Sequence, residues 1–321
     1  MDLKDCRVLV TPTSFGRGDP RLWDELRAAV GEVIENPHPR PLTSAEVRAL
    51  LPGVHGYIAG LDVIDADALA DAGDLQVIAR YGIGTERVDL DTARARGITV
   101  TNTPGANASA VAELTLGFMI ALSRKMVSAH DRLKGGEWSR VNGTSLEGKT
   151  LGLVGFGAIA RKTALFARPL GMHIVAYDPF VTAEAMRAQD VTPSDLDGLL
   201  AASDIVSLHL PVTPETRSLV DGRFIAHMKR GAYLINTARG DLIDDAALVA
   251  GLDDGQVGGA ALDAFTHEPP PPDSPLIAHP QVIVTPHIAG NSDSASNTMG
   301  RMAVDECLAV LRGDVPRFRV V

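Results

Sequence analysis

Three side chains in the second half of the sequence have the chemistry to bind a carboxylate and to move a proton. Arg239 lies in Asn-Thr-Ala-Arg-Gly, Glu268 in His-Glu-Pro, and His287 in Pro-His-Ile-Ala-Gly. A guanidinium presents a planar fork of donors that matches a carboxylate. Histidine transfers protons near neutral pH, and a neighbouring carboxylate favours its protonated form. The set indicates acid–base chemistry on a small acid.

A glycine-rich turn precedes these residues in the chain. Gly155 and Gly157, with Ala160 in place of a third glycine, follow an apolar strand and open a helix. This pattern is typical of a turn that seats a pyrophosphate on the start of a helix. Asp178 ends the next strand, where a carboxylate can bind ribose hydroxyls and repel a 2′-phosphate. The pattern favours NAD over NADP, and the alternative is a tight turn with a surface aspartate.

In this order and in these contexts, the motifs resemble the D-2-hydroxyacid dehydrogenase family, which includes phosphoglycerate dehydrogenases and glyoxylate/hydroxypyruvate reductases. The resemblance implies reversible hydride transfer between NAD(H) and a small 2-keto or 2-hydroxy acid. Arg239 would hold the substrate carboxylate, His287 would serve as the acid or base, and Glu268 would support His287.

The resemblance also implies a set of cofactor contacts. These predicted residues are Gly155, Gly157, Ala158, Ile159, Asp178, His209, Pro211, Thr216, Thr237, Ala238, Asp263 and Gly290. Asp263 would accept from the nicotinamide amide and so orient the ring. The alternative for Asp263 is a helix cap or a turn aspartate.

Substrate contacts are expected from the first part of the chain. By resemblance they are Arg80, Ile83, Gly84 and Asn107, acting with Arg239 and His287. Phosphoglycerate dehydrogenases commonly carry an arginine near the end of the strand that contains Tyr57, whereas this chain has Gly60. The glycine argues against 3-phosphoglycerate, although Arg80 and Arg87 could supply positive charge. Glyoxylate, hydroxypyruvate, lactate-like acids and 3-phosphoglycerate all stay open.

Strand-like and helix-like runs alternate from one end of the chain to the other. This alternation predicts an α/β fold with parallel sheets covered by helices. We expect two Rossmann-like domains, a discontinuous flavodoxin-like substrate domain and a doubly wound NAD domain. Helices are predicted over 19–30 and 65–72, one long helix over 109–134, and a last helix over 292–312.

The predicted strands divide between the two domains. The substrate domain should comprise residues 1–101 and 289–321, and the NAD-binding domain residues 102–288. The first domain should contain strands over 7–10, 54–59, 75–79 and 98–101. Six parallel strands are expected in the second, over 150–154, 173–177, 205–210, 232–236, 259–262 and 282–285. We expect the active site in the cleft between the domains.

Composition disfavours several classes of protein. A chain of 321 residues with 45% hydrophobic and 22% charged residues fits a globular protein, and a net charge of −10 disfavours nucleic acid and anionic membranes. Cys6 and Cys307 lack the spacing of a metal site or a disulfide framework. We predict no metal, no signal peptide, no membrane span and a cytoplasmic location.

Two further expectations concern partners. The resemblance implies a homodimer formed through the dinucleotide domain, with residues 109–134 contributing. The alternative from a different class is an NADH-sensing corepressor of the same fold, which would carry a long partner-binding extension. We expect the enzyme because the sequence ends at Val321 without such an extension.

Overall fold

The computed structural model describes residues 2–321, which form two compact units. The first unit contains residues 2–107 and 291–321, and the second contains residues 108–290. Among the described residues, no helix is both long enough and apolar enough to cross a membrane. Within the same residues, no group of three or more His, Cys, Asp or Glu side chains could hold a metal ion.

Twelve strands are described. In chain order they are β1 Arg7–Val10, β2 Glu32–Glu35, β3 Gly56–Ala59, β4 Val77–Arg80, β5 Thr99–Thr101, β6 Thr150–Val154, β7 His173–Tyr177, β8 Thr192–Pro193, β9 Ile205–Leu208, β10 Ala232–Asn236, β11 Val257–Leu262 and β12 Val282–Val284.

Twelve α-helices accompany these strands, together with three short 3-10 helices at Leu3–Asp5, Arg168–Leu170 and Gly240–Leu242. The α-helices are α1 Arg21–Ala29, α2 Ser44–Leu50, α3 Leu90–Ala95, α4 Ala108–Ser123, α5 Met126–Lys134, α6 Ala158–Ala167, α7 Ala183–Arg187, α8 Leu196–Ala202, α9 Gly222–His227, α10 Asp245–Asp253, α11 Pro275–Ala278 and α12 Asp293–Arg312.

The first unit is built on a five-stranded parallel sheet in the order β2-β1-β3-β4-β5. This is the flavodoxin-like order, and it confirms the predicted fold class of this part of the chain. Helix α12 returns from the end of the chain to pack on β3 and β4. Gly313 ends the helix in the left-handed conformation, at φ 85°, as the glycine after the helical pattern predicts.

The second unit is a seven-stranded parallel sheet in the order β12-β11-β10-β9-β6-β7-β8. Strand β6 pairs with β7 on one side and β9 on the other, so the strand order reverses between β6 and β9. Such a switch point leaves a crevice at the carboxyl ends of the two strands, where ligands of open α/β sheets bind. Apolar clusters cover both faces of the sheet, which confirms the doubly wound architecture.

Several predicted elements were wrong. The helix expected over 65–72 is a series of turns, in which Ala72 N–H donates to the Leu69 carbonyl three residues back. The long helix over 109–134 is two helices, because Lys125 adopts a left-handed φ of 52° between α4 and α5. Strand β2 was not predicted. The two-residue β8 makes the second sheet seven strands instead of six.

Candidate active site

The glycine-rich turn lies at the switch point of the second sheet. Gly155 has a φ of 92°, and a Cβ on it would lie 2.6 Å from the carbonyl oxygen of His209, which follows β9. A Cβ on Gly157 would meet no atom within 4 Å. Gly155 is therefore required by the fold itself, whereas the space above Gly157 is open for a ligand to approach the backbone.

Helix α6 begins at this turn with Ala158 and Ile159. Gly157 is its N-cap and supplies no side-chain hydrogen bond, and the first turn contains no acidic residue. The first N–H groups of the helix are thus available to an anion. Ala160 is fully buried, in the position where close helix–strand packing needs a small residue. These features fit the pyrophosphate of a dinucleotide.

Two charged side chains clamp the peptide groups of Phe156 between the two glycines. The N–H of Phe156 donates to Asp178 Oδ2 at 2.8 Å, and its carbonyl accepts from Arg161 Nε at 3.1 Å. The guanidinium of Arg161 also lies 5.1 Å from the centre of the Phe156 ring. Asp178 is therefore placed beside the turn, as predicted. Arg161 was not predicted, because only the folded turn brings it onto Phe156.

His209 and Pro211 follow β9 at the same edge of the sheet. His209 Nε2 lies 3.0 Å from the hydroxyl of Ser207, and burial lowers the pKa of His209 to about 3. The imidazole is therefore neutral at physiological pH. The hydroxyl of Thr216 donates to the Pro211 carbonyl at 2.7 Å, which fixes the loop that contains both residues.

The loop that carries Arg239 is held by its own asparagine and by a close backbone contact. Buried Asn236 accepts from Ala238 N–H at 3.0 Å and donates to the Arg239 carbonyl at 2.8 Å. The hydroxyl of Thr237 lies 3.1 Å from that of Thr115. A Cβ on Gly240 would lie 2.0 Å from the carbonyl carbon of Phe265. Only glycine allows this loop to abut the one that leads to Glu268.

His287 and Glu268 form a hydrogen-bonded pair within the second unit. His287 Nδ1 lies 2.8 Å from Oε1 and 2.9 Å from Oε2 of Glu268. Glu268 Oε1 also accepts from the N–H of Phe265 at 3.1 Å. The His287 side chain is 42% exposed and that of Glu268 is 31% exposed, so water and small molecules can reach the pair. Because Nδ1 faces the carboxylate, Nε2 is the nitrogen left to exchange a proton with a substrate.

Asp263 holds the segment that contains His287. Its Oδ1 accepts from the hydroxyl of Thr285 and from Ile288 N–H at 2.9 Å, and its Oδ2 accepts from Ala289 N–H at 2.7 Å. The Asp263 carbonyl accepts from His287 N–H at 2.8 Å. The aspartate is 1% exposed. Its carboxylate is thus occupied by this segment, which ends at Ala289 and Gly290.

The predicted substrate residues of the first unit occupy a fixed loop. Arg80 is 3% exposed, and its guanidinium donates to the carbonyls of Gly84 at 3.0 Å and Ala59 at 2.7 Å. Burial lowers the pKa of Arg80. Ile83 is exposed, with its carbonyl accepting from Asn102 at 2.9 Å. Asn107 is partly exposed and is the last residue of the first of the two chain segments that form this unit.

Comparison with known proteins identifies the family. Residues 116–289, more than half of the chain, match the model of the NAD-binding domain of D-isomer specific 2-hydroxyacid dehydrogenases. The chain belongs to the D-isomer specific 2-hydroxyacid dehydrogenase family. It is therefore an NAD-binding oxidoreductase that acts on CH–OH groups.

Individual relatives agree with this assignment. The chain is 41% identical over 265 residues to a glyoxylate reductase from Thermofilum pendens, covering 79% of this chain and 77% of that one. It is 39% identical over 255 residues to a D-3-phosphoglycerate dehydrogenase from Methanocaldococcus jannaschii, covering 78% of this chain. The match covers only 48% of that enzyme, so the chain spans about half its length.

A solved structure extends the likeness to both units. The TT0316 protein from Thermus thermophilus has a TM-score of 0.86 and 40% sequence identity. The match covers 98% of this chain and 100% of that one. The family and fold predictions are therefore confirmed over nearly the whole chain.

Proposed function

We propose that the protein reduces a small, unphosphorylated 2-keto acid to the D-2-hydroxy acid with NADH, and catalyses the reverse oxidation. The observation that carries the proposal is the His287–Glu268 pair, 2.8 Å from Nδ1 to Oε1. Glu268 lies on the loop that follows β11, and His287 lies on the loop that follows β12. Gly240 packs the Arg239 loop against the loop that follows β11. The first unit is proposed as the substrate domain and the second as the NAD domain.

Each of the three side chains has one proposed role. Arg239 binds the substrate carboxylate through its planar fork of donors. His287 donates a proton from Nε2 to the substrate oxygen during reduction and accepts one during oxidation. Glu268 stabilises the protonated imidazole and fixes the orientation of its ring through Nδ1. A substrate oxygen must therefore lie within hydrogen-bonding distance of Nε2.

The cofactor site fits NAD(H), which when bound supplies or accepts the hydride. The open space above Gly157 and the uncapped start of α6 would receive the pyrophosphate. Asp178 would bind the ribose hydroxyls and repel a 2′-phosphate. The remaining predicted contacts are retained as proposals: Gly155, Ala158, Ile159, His209, Pro211, Thr216, Thr237, Ala238, Asp263 and Gly290.

The choice of an unphosphorylated acid rests on the environment of two positions in the first unit. Gly60 supplies no cation to bind a phosphate. A Cβ on Gly60 would lie 3.1 Å from Pro12 Cα, so a side chain there would require the neighbouring backbone to shift by a few tenths of an ångström. Arg80 is buried on backbone carbonyls, so we assign it to positioning the loop of Ile83 and Gly84. The phosphorylated acid is the second candidate, favoured by the similarity to phosphoglycerate dehydrogenases.

We also propose a cytoplasmic homodimer. Support for the dimer comes from α5 and the segment after it, where apolar side chains face outward. Met126 is 54%, Leu133 is 55% and Trp138 is 81% exposed. Exposed apolar residues grouped in this way mark surfaces that bind a partner. The cytoplasmic location is supported by the low cysteine content.

A substrate panel tests the proposal. NADH oxidation would be followed with glyoxylate, hydroxypyruvate, pyruvate, a branched 2-keto acid and 3-phosphohydroxypyruvate. We expect kcat/KM to be highest for one of the short unphosphorylated acids. A clear preference for 3-phosphohydroxypyruvate would select the second candidate. Tight NADH binding without turnover of any acid would contradict both and favour the corepressor-like alternative.

A further inference from the structure

A cavity opens at the edge of the second sheet opposite the glycine-rich turn. Its volume is about 300 Å³, and the residues that begin β6, β9 and β10 line it, together with Thr144 and Ser145. In a parallel sheet the amino ends of the strands meet at one edge, so Lys149, Asp204, Lys229 and Arg230 converge there. The turn, His209 and Arg239 follow the carboxyl ends of the same strands. The cavity is therefore separate from the proposed cofactor site.

The cavity concentrates positive charge. Asp204 Oδ1 lies 2.6 Å from Lys229 Nζ and 3.6 Å from Lys149 Nζ, so one carboxylate serves two lysines. Arg230 donates at 2.6 Å to the backbone carbonyl of Asp254 and, among residues 2–321, forms no ion pair with a carboxylate. Three cations and one carboxylate leave a net positive charge, in a chain whose overall net charge is −10.

The Asp204 carboxylate is held in a fixed position by a backbone hydrogen bond. Its Oδ2 accepts from Thr150 N–H at 3.0 Å. Burial disfavours its charged form, but the hydrogen bonds from Lys229 and Thr150 outweigh burial and lower the pKa of Asp204. The carboxylate is thus ionised and fixed. The two lysine side chains are partly exposed, Lys149 by 38% and Lys229 by 50%, so a small anion can reach them.

The backbone beneath the cations is also fixed. Gly231 has a φ of 77° and donates to the Gln256 carbonyl at 2.9 Å. A Cβ on Gly258 would lie 2.4 Å from the Gly231 carbonyl oxygen, so these two glycines allow the segments to touch. Lys229 and Arg230 consequently project from a turn with little freedom, which lowers the entropic cost of binding a ligand between them.

We propose that this cavity binds a small doubly charged oxyanion, either inorganic phosphate or the phosphate group of a metabolite. Ammonium and guanidinium groups with nearby hydroxyls are the donors that such oxyanions prefer. The concave shape excludes part of the solvent that would otherwise screen the charges. The site differs from the substrate and cofactor sites and goes beyond the proposed dehydrogenase activity.

Phosphate binding tests the proposal directly. Inorganic phosphate would be titrated at constant ionic strength against the whole protein, with ³¹P line broadening and the thermal midpoint as readouts. We expect saturable binding that Lys229→Gln and Lys149→Gln each weaken several-fold. Arg187→Gln, which removes an exposed cation elsewhere in the same unit, should leave the affinity unchanged. Asp204→Asn should tighten binding, because it removes the competing negative charge.

The proposed substrate site also attracts anions. The Arg239→Gln variant therefore distinguishes phosphate bound at the substrate site from phosphate bound in the cavity. The proposal predicts that phosphate binding survives Arg239→Gln and is weakened by Lys229→Gln. The reverse pattern, or binding that never saturates, would overturn it. A comparison of inorganic phosphate with glycerol 3-phosphate distinguishes a free ion from a phosphorylated metabolite as the preferred ligand. These readouts do not depend on turnover, so failure of the dehydrogenase assignment would not affect them.

Discussion

Asp263 holds His287 in place through the backbone and not through the imidazole. The Asp263 carbonyl accepts from His287 N–H at 2.8 Å, and its buried carboxylate accepts hydrogen bonds on both sides of the histidine. His287 itself has a φ of 52°, in the left-handed region that non-glycine residues rarely adopt. The contacts of Asp263 therefore stabilise a local conformation that turns the imidazole toward Glu268.

Replacing Asp263 with asparagine should disorder this segment. The amide nitrogen cannot accept from a backbone N–H, so at least one buried donor loses its partner. We expect the free energy of unfolding to fall by about 1–3 kcal/mol, measured by denaturant titration, and kcat to fall with it. Asp273→Asn, at an exposed position, is the control. An effect confined to NADH affinity would instead indicate that Asp263 serves only the nicotinamide amide.

Glu268→Gln removes the charge beside His287 and keeps the size of the side chain. Because the protonated imidazole loses its partner, we expect kcat for keto-acid reduction to fall by about 10–100-fold. Steady-state kcat and KM for keto-acid reduction would measure the loss, with Glu184→Gln, an 82% exposed glutamate, as the control. An unchanged kcat would contradict the proposed role of Glu268.

Gly157→Ala separates cofactor binding from folding. Gly157 has a φ of −77°, and a Cβ placed on it would meet no atom within 4 Å, so alanine should leave the thermal midpoint unchanged. The methyl group would occupy the space through which the pyrophosphate reaches the backbone. We expect the dissociation constant for NADH, measured by fluorescence, to rise at least about tenfold, or about 1.4 kcal/mol. Gly222→Ala, also open, is the matched control. Unchanged NADH affinity would place the pyrophosphate elsewhere.

His209 should make the fold sensitive to acid. Burial lowers its pKa from 6.5 to about 3, so the unfolded chain binds a proton more readily than the folded one. The contribution of neutral His209 to the free energy of unfolding is therefore fully present above the pKa of the unfolded chain, 6.5. It is lost as pH falls from 6.5 toward the folded-state pKa of about 3. His209→Gln should reduce the loss of unfolding free energy between neutral pH and about pH 5 by about 1–2 kcal/mol. An equal loss in the variant would contradict this, and His227→Gln is the control.

The candidate catalytic residues could be proposed from the sequence because they lie in short local motifs. The motifs around Arg239, Glu268 and His287, with the turn at Gly155, are contiguous in the sequence. The residues that hold these motifs in place are distant from them in the sequence or are not marked by any motif. Arg161 reaches Phe156, and Gly240 meets Phe265, only because the chain folds back on itself. No sequence pattern marks such approaches, so the residues that hold the site in place were missed or given other roles.

The fold was predictable where strands are apolar and helices carry clear end signals. The strand at Thr150–Val154 and the helix ending before Gly313 are examples. Strand β2 was missed because its sequence, Glu-Val-Ile-Glu, is short, charged at both ends and lies at the sheet edge. The break at Lys125 was missed because a left-handed lysine leaves no signal in an otherwise helical pattern.

The most direct test of the account is NADH-dependent reduction of glyoxylate and hydroxypyruvate by the protein and its His287→Gln variant, with NADH binding measured in parallel. We predict that the protein forms the D-2-hydroxy acid. The variant should lose turnover by at least about 100-fold while binding NADH with similar affinity. Turnover retained in the variant would contradict the role of His287 as the proton donor, and with it the proposed mechanism.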